Sequence, residues 1–205
     1  NAGYWVVGAP CLVQIPSDSQ NVLGGDHHLL SGLLALFIIG PSTGSLLSEK
    51  LSGNQVEIGL VPFGAIGLTI FGLDLFFASP TTPGTGVTIG AFLSDGANWR
   101  IILDLLLIGI FGGFYIVPLY ALVQSRSAPD HRSRVIAGLN ILDALFMVIA
   151  AVMAMLILGP AGLSIPELFL ITAVLNAFVA MYIFTLVPEF LMRFLVWILI
   201  HTIYR

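Results

Sequence analysis

Asn140 and Asp143 stand three positions apart in a stretch, Val135 to Leu158, that carries no other charge. On a helix that spacing puts both on one face. An ionisable group inside an apolar span is costly, and it normally faces the interior of a bundle or a polar cavity. Two roles fit the pair. It can line a cavity for a zwitterionic headgroup, with Asp143 able to exchange a proton, or it can form an interhelical hydrogen bond that only holds helices together. Asp74 and Asp104 lie near the ends of two further apolar windows. Arg100 is one helical turn before Asp104, so a local ion pair is expected there. Asn176, midway along the charge-free window Leu168 to Val187, reads as a polar packing group. These five residues are the candidates for a substrate pathway.

Enzymatic chemistry has no comparable set of residues. There is no phosphate-binding loop and no cluster with metal-ligand spacing. The single cysteine, Cys11, leaves neither an internal disulfide nor a multi-cysteine metal site. None of His27, His28, His131 and His201 is followed by an aspartate five residues on, the spacing expected of a glycerolipid acyltransferase. The segment is expected to be no enzyme and to use no cofactor. A formal charge of −4 lacks the basic surface that nucleic-acid binding requires.

The elements that must position the polar residues are membrane helices. Of 205 residues, 58% are apolar and 9% are charged, against about 25% charged in a soluble domain. Apolar windows close to the roughly 20 residues needed to cross a bilayer place spans at about 29–48, 57–78, 99–124, 134–158 and 167–187. A shorter one at 4–16 fits a helix cut by the start of the chain. The chain is therefore expected to be part of a longer protein. The connections 17–27, 79–97 and 159–166 contain Asp18, Asp26 and Asp95 and no Lys or Arg. Six of the seven basic residues, Lys50, Arg126, Arg132, Arg134, Arg193 and Arg205, fall on the opposite side, which the positive-inside rule makes cytoplasmic. The C-terminus is expected on that side. In 189–205, Glu189, Arg193, His201 and Arg205 recur along one stripe, as in a helix lying at the membrane interface.

Gly40-Pro-Ser-Thr-Gly44 is a Gly-x-x-x-Gly with an internal proline, which implies close helix packing and a kink. Gly44-Ser-Leu-Leu-Ser-Glu-Lys-Leu-Ser-Gly-Asn-Gln-Val56 ends one span and begins the next. It resembles the loop signature of the major facilitator superfamily. Gly44 matches the small packing position, Glu49 and Lys50 the acid–base pair one residue late, and Gly53 the turn glycine. Gln55 stands where a basic residue is usual. Val56-Glu-Ile-Gly-Leu-Val-Pro-Phe-Gly-Ala-Ile-Gly-Leu-Thr-Ile-Phe-Gly-Leu-Asp74, the string Gly112 to Gln124, Arg132-Ser-Arg-Val-Ile-Ala-Gly-Leu-Asn-Ile-Leu-Asp143 and Pro188-Glu-Phe-Leu-Met-Arg-Phe-Leu are similar to the lysophospholipid transporter branch. The likeness is greatest to the form fused to a phospholipid acyltransferase. Two departures concern ion coupling: Asp143 replaces an expected neutral amide, and the arginine-rich end of the loop signature is missing.

The resemblance implies an all-α integral membrane protein, with 1–188 as the C-terminal six-helix half of a major facilitator fold, its first helix truncated. It implies transport of lysophospholipid across a bacterial inner membrane for re-acylation. The partners would be membrane lipid, the N-terminal half of the same transporter and a fused cytoplasmic acyltransferase beyond 189–205. A proton-coupled exporter of drugs or metabolites, or a non-transporting anchor for an acyltransferase, are the alternatives. Half-bundles with polar inner faces need their partner half, so the isolated chain is expected to be poorly stable in detergent.

Overall fold

Within a bilayer there is no water to pair stray N–H and C=O groups, so long apolar runs close their hydrogen bonds inside the helix. The structure, a computed structural model describing residues 2–52, 58–80, 86–186, 192–196 and 199, follows that rule. Helix α1 spans Ala2–Ser17, α2 His27–Leu51, α3 Leu60–Ala78, α4 Ile89–Ser94, α5 Asn98–Arg126, α6 Arg132–Leu158 and α7 Ile165–Leu186. Of these, α2, α3, α5, α6 and α7 are long and apolar enough to cross a membrane. No strand occurs among the described residues, and the protein is an all-α, multi-pass membrane protein.

Local chemistry sets the helix ends. Asp26 caps α2 by accepting from the Leu29 N–H at 2.9 Å. Ser164 and Glu167 form a reciprocal capping box before α7, with the Ser164 N–H and Oγ donating to Glu167 Oε2, each at 2.7 Å. Two connections depart from expectation. The segment 17–27 is not all loop, because a π-helical stretch, Asp18–Val22, continues α1 directly. The connection 79–97 contains the short helix α4. Gly24 and Gly86, both at φ 66°, turn two loops together so that Gly25 and Val87 form an isolated bridge. The Asp26 N–H donates to Val87 O at 3.1 Å and the Val87 N–H to Gly24 O at 2.8 Å. The 17–27 and 79–97 connections therefore share one end of the bundle, as the alternation of acidic and basic loops requires.

Helix α5 is the hub of the tightest packing, and glycine is the reason. A Cβ at Gly44 would stand 2.2 Å from the Ile110 carbonyl oxygen, and one at Gly113 2.7 Å from the Gly44 backbone. Gly40 and Gly109 abut in the same way one turn away. Two Gly-x-x-x-Gly stripes thus interlock backbone to backbone. On another face of α5, a Cβ at Gly64 of α3 would lie 2.6 Å from the Tyr115 nitrogen.

The principal packings are α2 on α5, α3 on α5, α3 on α7, α1 on α6 and α1 on α7. Exchanging α1 with α5, α2 with α6 and α3 with α7 maps this set onto itself. Two three-helix units are therefore arranged equivalently. With one crossing each for α2 and α3, α1 ends at the side of the bundle where α5 begins, and the units run in opposite senses.

Of the expected interfacial segment 189–205, only 192–196 and 199 are described, and 192–196 is helical. Gly53 and Gln55 of the loop signature lie outside the described residues. Gly44 is buried against α5, whereas Glu49 and Lys50 are exposed on the last turn of α2, which reaches further than expected.

Candidate functional site

The α5–α6 hairpin carries the polar pair. Tyr120 lies a few turns before the connection and Asn140 and Asp143 a few turns after it, so antiparallel helices bring them to the same depth. The Tyr120 hydroxyl donates to Asp143 Oδ2 at 2.8 Å and lies 3.4 Å from Asn140 Oδ1. Asp143 is buried, at 4% exposure, while Asn140 is exposed. Beyond this contact α5 and α6 pack little on each other, and α6 leans on α1 instead. The cluster bridges two helices and presents an exposed amide beside a buried carboxylate.

The same stripe of α6 continues through Met147, Ala151 and Ala154. These residues, with Val148, wall an apolar groove of about 240 Å³ whose other side is Ala9, Pro10, Val13 and Gln14 of α1. A polar spot followed one turn later by an apolar trough is the composition of a site for an amphiphile.

The other candidates separate into two places. Asn176 is fully buried on α7, and its Nδ2 donates to Ala65 O and to Thr69 Oγ1 of α3, both at 2.9 Å. These bonds fasten α3 to α7. Asp74 and Asp104 are brought together, but the expected pairing is corrected: Arg100 grips Asp74 and not Asp104. Its Nε donates to Asp74 Oδ2 at 2.9 Å and its Nη2 donates to Oδ1, a two-pronged grip. The reason is direction. The Arg100 head stays at the surface, 51% exposed, where the end of α3 presents a half-exposed Asp74. Asp104 instead points inward, is 2% exposed and lies against Asp74.

Tyr120 escaped the sequence reading. Its signal was available: a phenol within a mostly apolar span needs a partner, and across the hairpin Asn140 and Asp143 supply one. The groove was also missed, because a trough between two helices needs knowledge of which helices touch. Among the described residues no group of His, Cys, Asp or Glu could hold a metal ion. Comparison with family models, with curated proteins and with solved structures gives no match at all.

Proposed function

We propose that the chain is one six-helix half of a secondary transporter of the major facilitator type that moves lysophospholipid across a bacterial inner membrane. The observation that carries the substrate class is the α6 stripe. Asn140 and Asp143 sit at its polar end and the groove walled by Met147, Val148 and α1 follows. A lysophospholipid has the same order of parts, a charged headgroup and one acyl chain. In this reading Asp143 faces the headgroup cation, Asn140 hydrogen-bonds the phosphate or glycerol, and the chain lies in the groove. The Tyr120 hydroxyl holds the carboxylate in place.

The scaffold reading rests on the exchange symmetry of the packing. Inverted three-helix repeats nested in a six-helix half are the architecture of major facilitator transporters, which work by rocking two such halves about a central cavity. The sequence likeness described above points the same way. The partner half supplies the facing wall, and acyl-transfer chemistry belongs to residues outside 1–205.

The test uses the full-length parent in vesicles, with labelled lysophosphatidylethanolamine offered on one face. Lipid movement that is slowed by Asp143→Ala at equal protein level is expected. A folded parent that moves no lipid overturns the reading in favour of an exporter or a membrane anchor. Movement that is indifferent to Asp143→Ala removes the α6 stripe from the pathway.

A further inference from the structure

The π-helical turn that closes α1 contains polar groups for which the reading above has no use. Asp18 is 5% exposed and Ser19 is fully buried, between the core residues Ile15 and Leu23. Among the described residues, neither Asp18 Oδ1 nor Ser19 Oγ makes a hydrogen bond. Only the backbone is satisfied: the Leu23 N–H donates to Asp18 O at 2.9 Å and the Gly25 N–H to Ser19 O at 2.7 Å. π-Helical turns are rare and recur at functional sites. A buried carboxylate with no donor is one of the costliest groups a protein can keep.

Charged groups on the neighbouring elements are engaged elsewhere. Asp26 caps α2, and His27 and His28 beside it are exposed. Arg100 of α5 is held by Asp74 of α3, against which Asp104 lies. Glu167 of α7 is tied to Ser164, and Asp143 of α6 accepts from Tyr120. None of them bears on Asp18, whose carboxyl lies outside the five spans and is pushed up to about 7 by burial alone.

We propose that Asp18 is a proton-binding site, at the end of the bundle where the Gly25–Val87 bridge joins the connections. Taking up a proton converts the carboxylate to the neutral acid, with bulk water as the donor, and the turn stays packed. Losing the proton leaves a charge without a partner, and the end of α1 must admit water to solvate it. A carboxyl whose pKa is raised by folding contributes stability that is fully present below 3.8 and is lost as pH rises through about 7. The site does not depend on the transport reading.

The test is infrared difference spectroscopy of the full chain in lipid nanodiscs, titrated from about pH 5 to about pH 9 to bracket the shifted carboxyl. A carboxylic-acid band that vanishes with a midpoint near 7 is expected. Asp18→Asn should remove the Asp18 component of that band and Asp18→Glu should retain that component at a shifted frequency, while Asp104→Asn leaves it in place. If Asp18→Asn does not fold, the frequency shift in Asp18→Glu decides. A band unmoved in Asp18→Glu, or the lack of any band titrating in this range, overturns the proposal.

Discussion

Helix α5 makes two very different joints. Against α2 it meets backbone on backbone, with no side chain between Gly44 and Ile110 or between Gly113 and Gly44. Against α6 it makes little contact beyond the Tyr120–Asp143 bond. Helix α6 is correspondingly open: 17% of its most apolar window is buried, against 56% for α5. Within one fold, then, one joint is interlocked and the other is loose. Burial of apolar area between helices gives no advantage where lipid is the alternative neighbour. Close backbone approach and polar bonds have to hold the bundle, so the positions of glycine and of the few amides mark what stays fixed.

The largest effect should come from the first joint. Gly44→Val places a Cβ where a backbone carbonyl already stands, and a carbonyl within a helix cannot swing aside. Overpacking typically costs about 1–3 kcal/mol, and a clash with fixed backbone puts Gly44→Val at the upper end. Thermal unfolding of the full-length parent in detergent, followed by circular dichroism, should show loss of the cooperative transition. If Gly44→Val melts like the wild type, the interlock does not hold the bundle and the contrast between the joints fails.

Next in size is Asn176→Leu. It removes two hydrogen bonds that tie α7 to α3 while keeping the volume of the side chain. Interhelical hydrogen bonds in membranes are worth roughly 0.6 to 1.7 kcal/mol each, so a loss of about 1–2 kcal/mol is expected in the same melt. Asn176 Oδ1 is buried with no partner, and removing it offsets part of that loss. An unchanged melt would mean that α3 and α7 are held by packing alone.

The same contrast explains what could be read in the sequence. Spans and the Gly40–Gly44 stripe were legible because each is a local property: a length of apolar chain, or two small residues four apart. The Arg100–Asp74 pair was not. One turn of spacing favours Asp104 as the partner of Arg100, and only the meeting of α3 with α5 makes Asp74 the nearer surface carboxylate. The turn at Asp18–Val22 was hidden by composition, since Asp, Ser, Gln and Asn compete for backbone hydrogen bonds and read as loop. Its burial is a tertiary fact. Tyr120 and the groove between α1 and α6 likewise depend on which helices touch.

The smallest effect on stability, and the most informative, is expected at the hairpin. Tyr120→Phe deletes one hydroxyl on a half-buried ring and leaves the shape of α5 intact, so its cost should be about 0.6 kcal/mol, the average for such bonds. Its effect on lipid movement should be out of proportion to that. Asp143 loses one donor to its carboxylate, and under the proposed transport a group that meets a headgroup at a defined place works worse when it is held less firmly. Measured in the full-length parent, Tyr120→Phe should slow lysophospholipid movement several-fold while the melt barely shifts. A melt that drops as far as that of Gly44→Val would make the hairpin a packing joint like the first, and the bond at Asp143 a fastening with no part in transport.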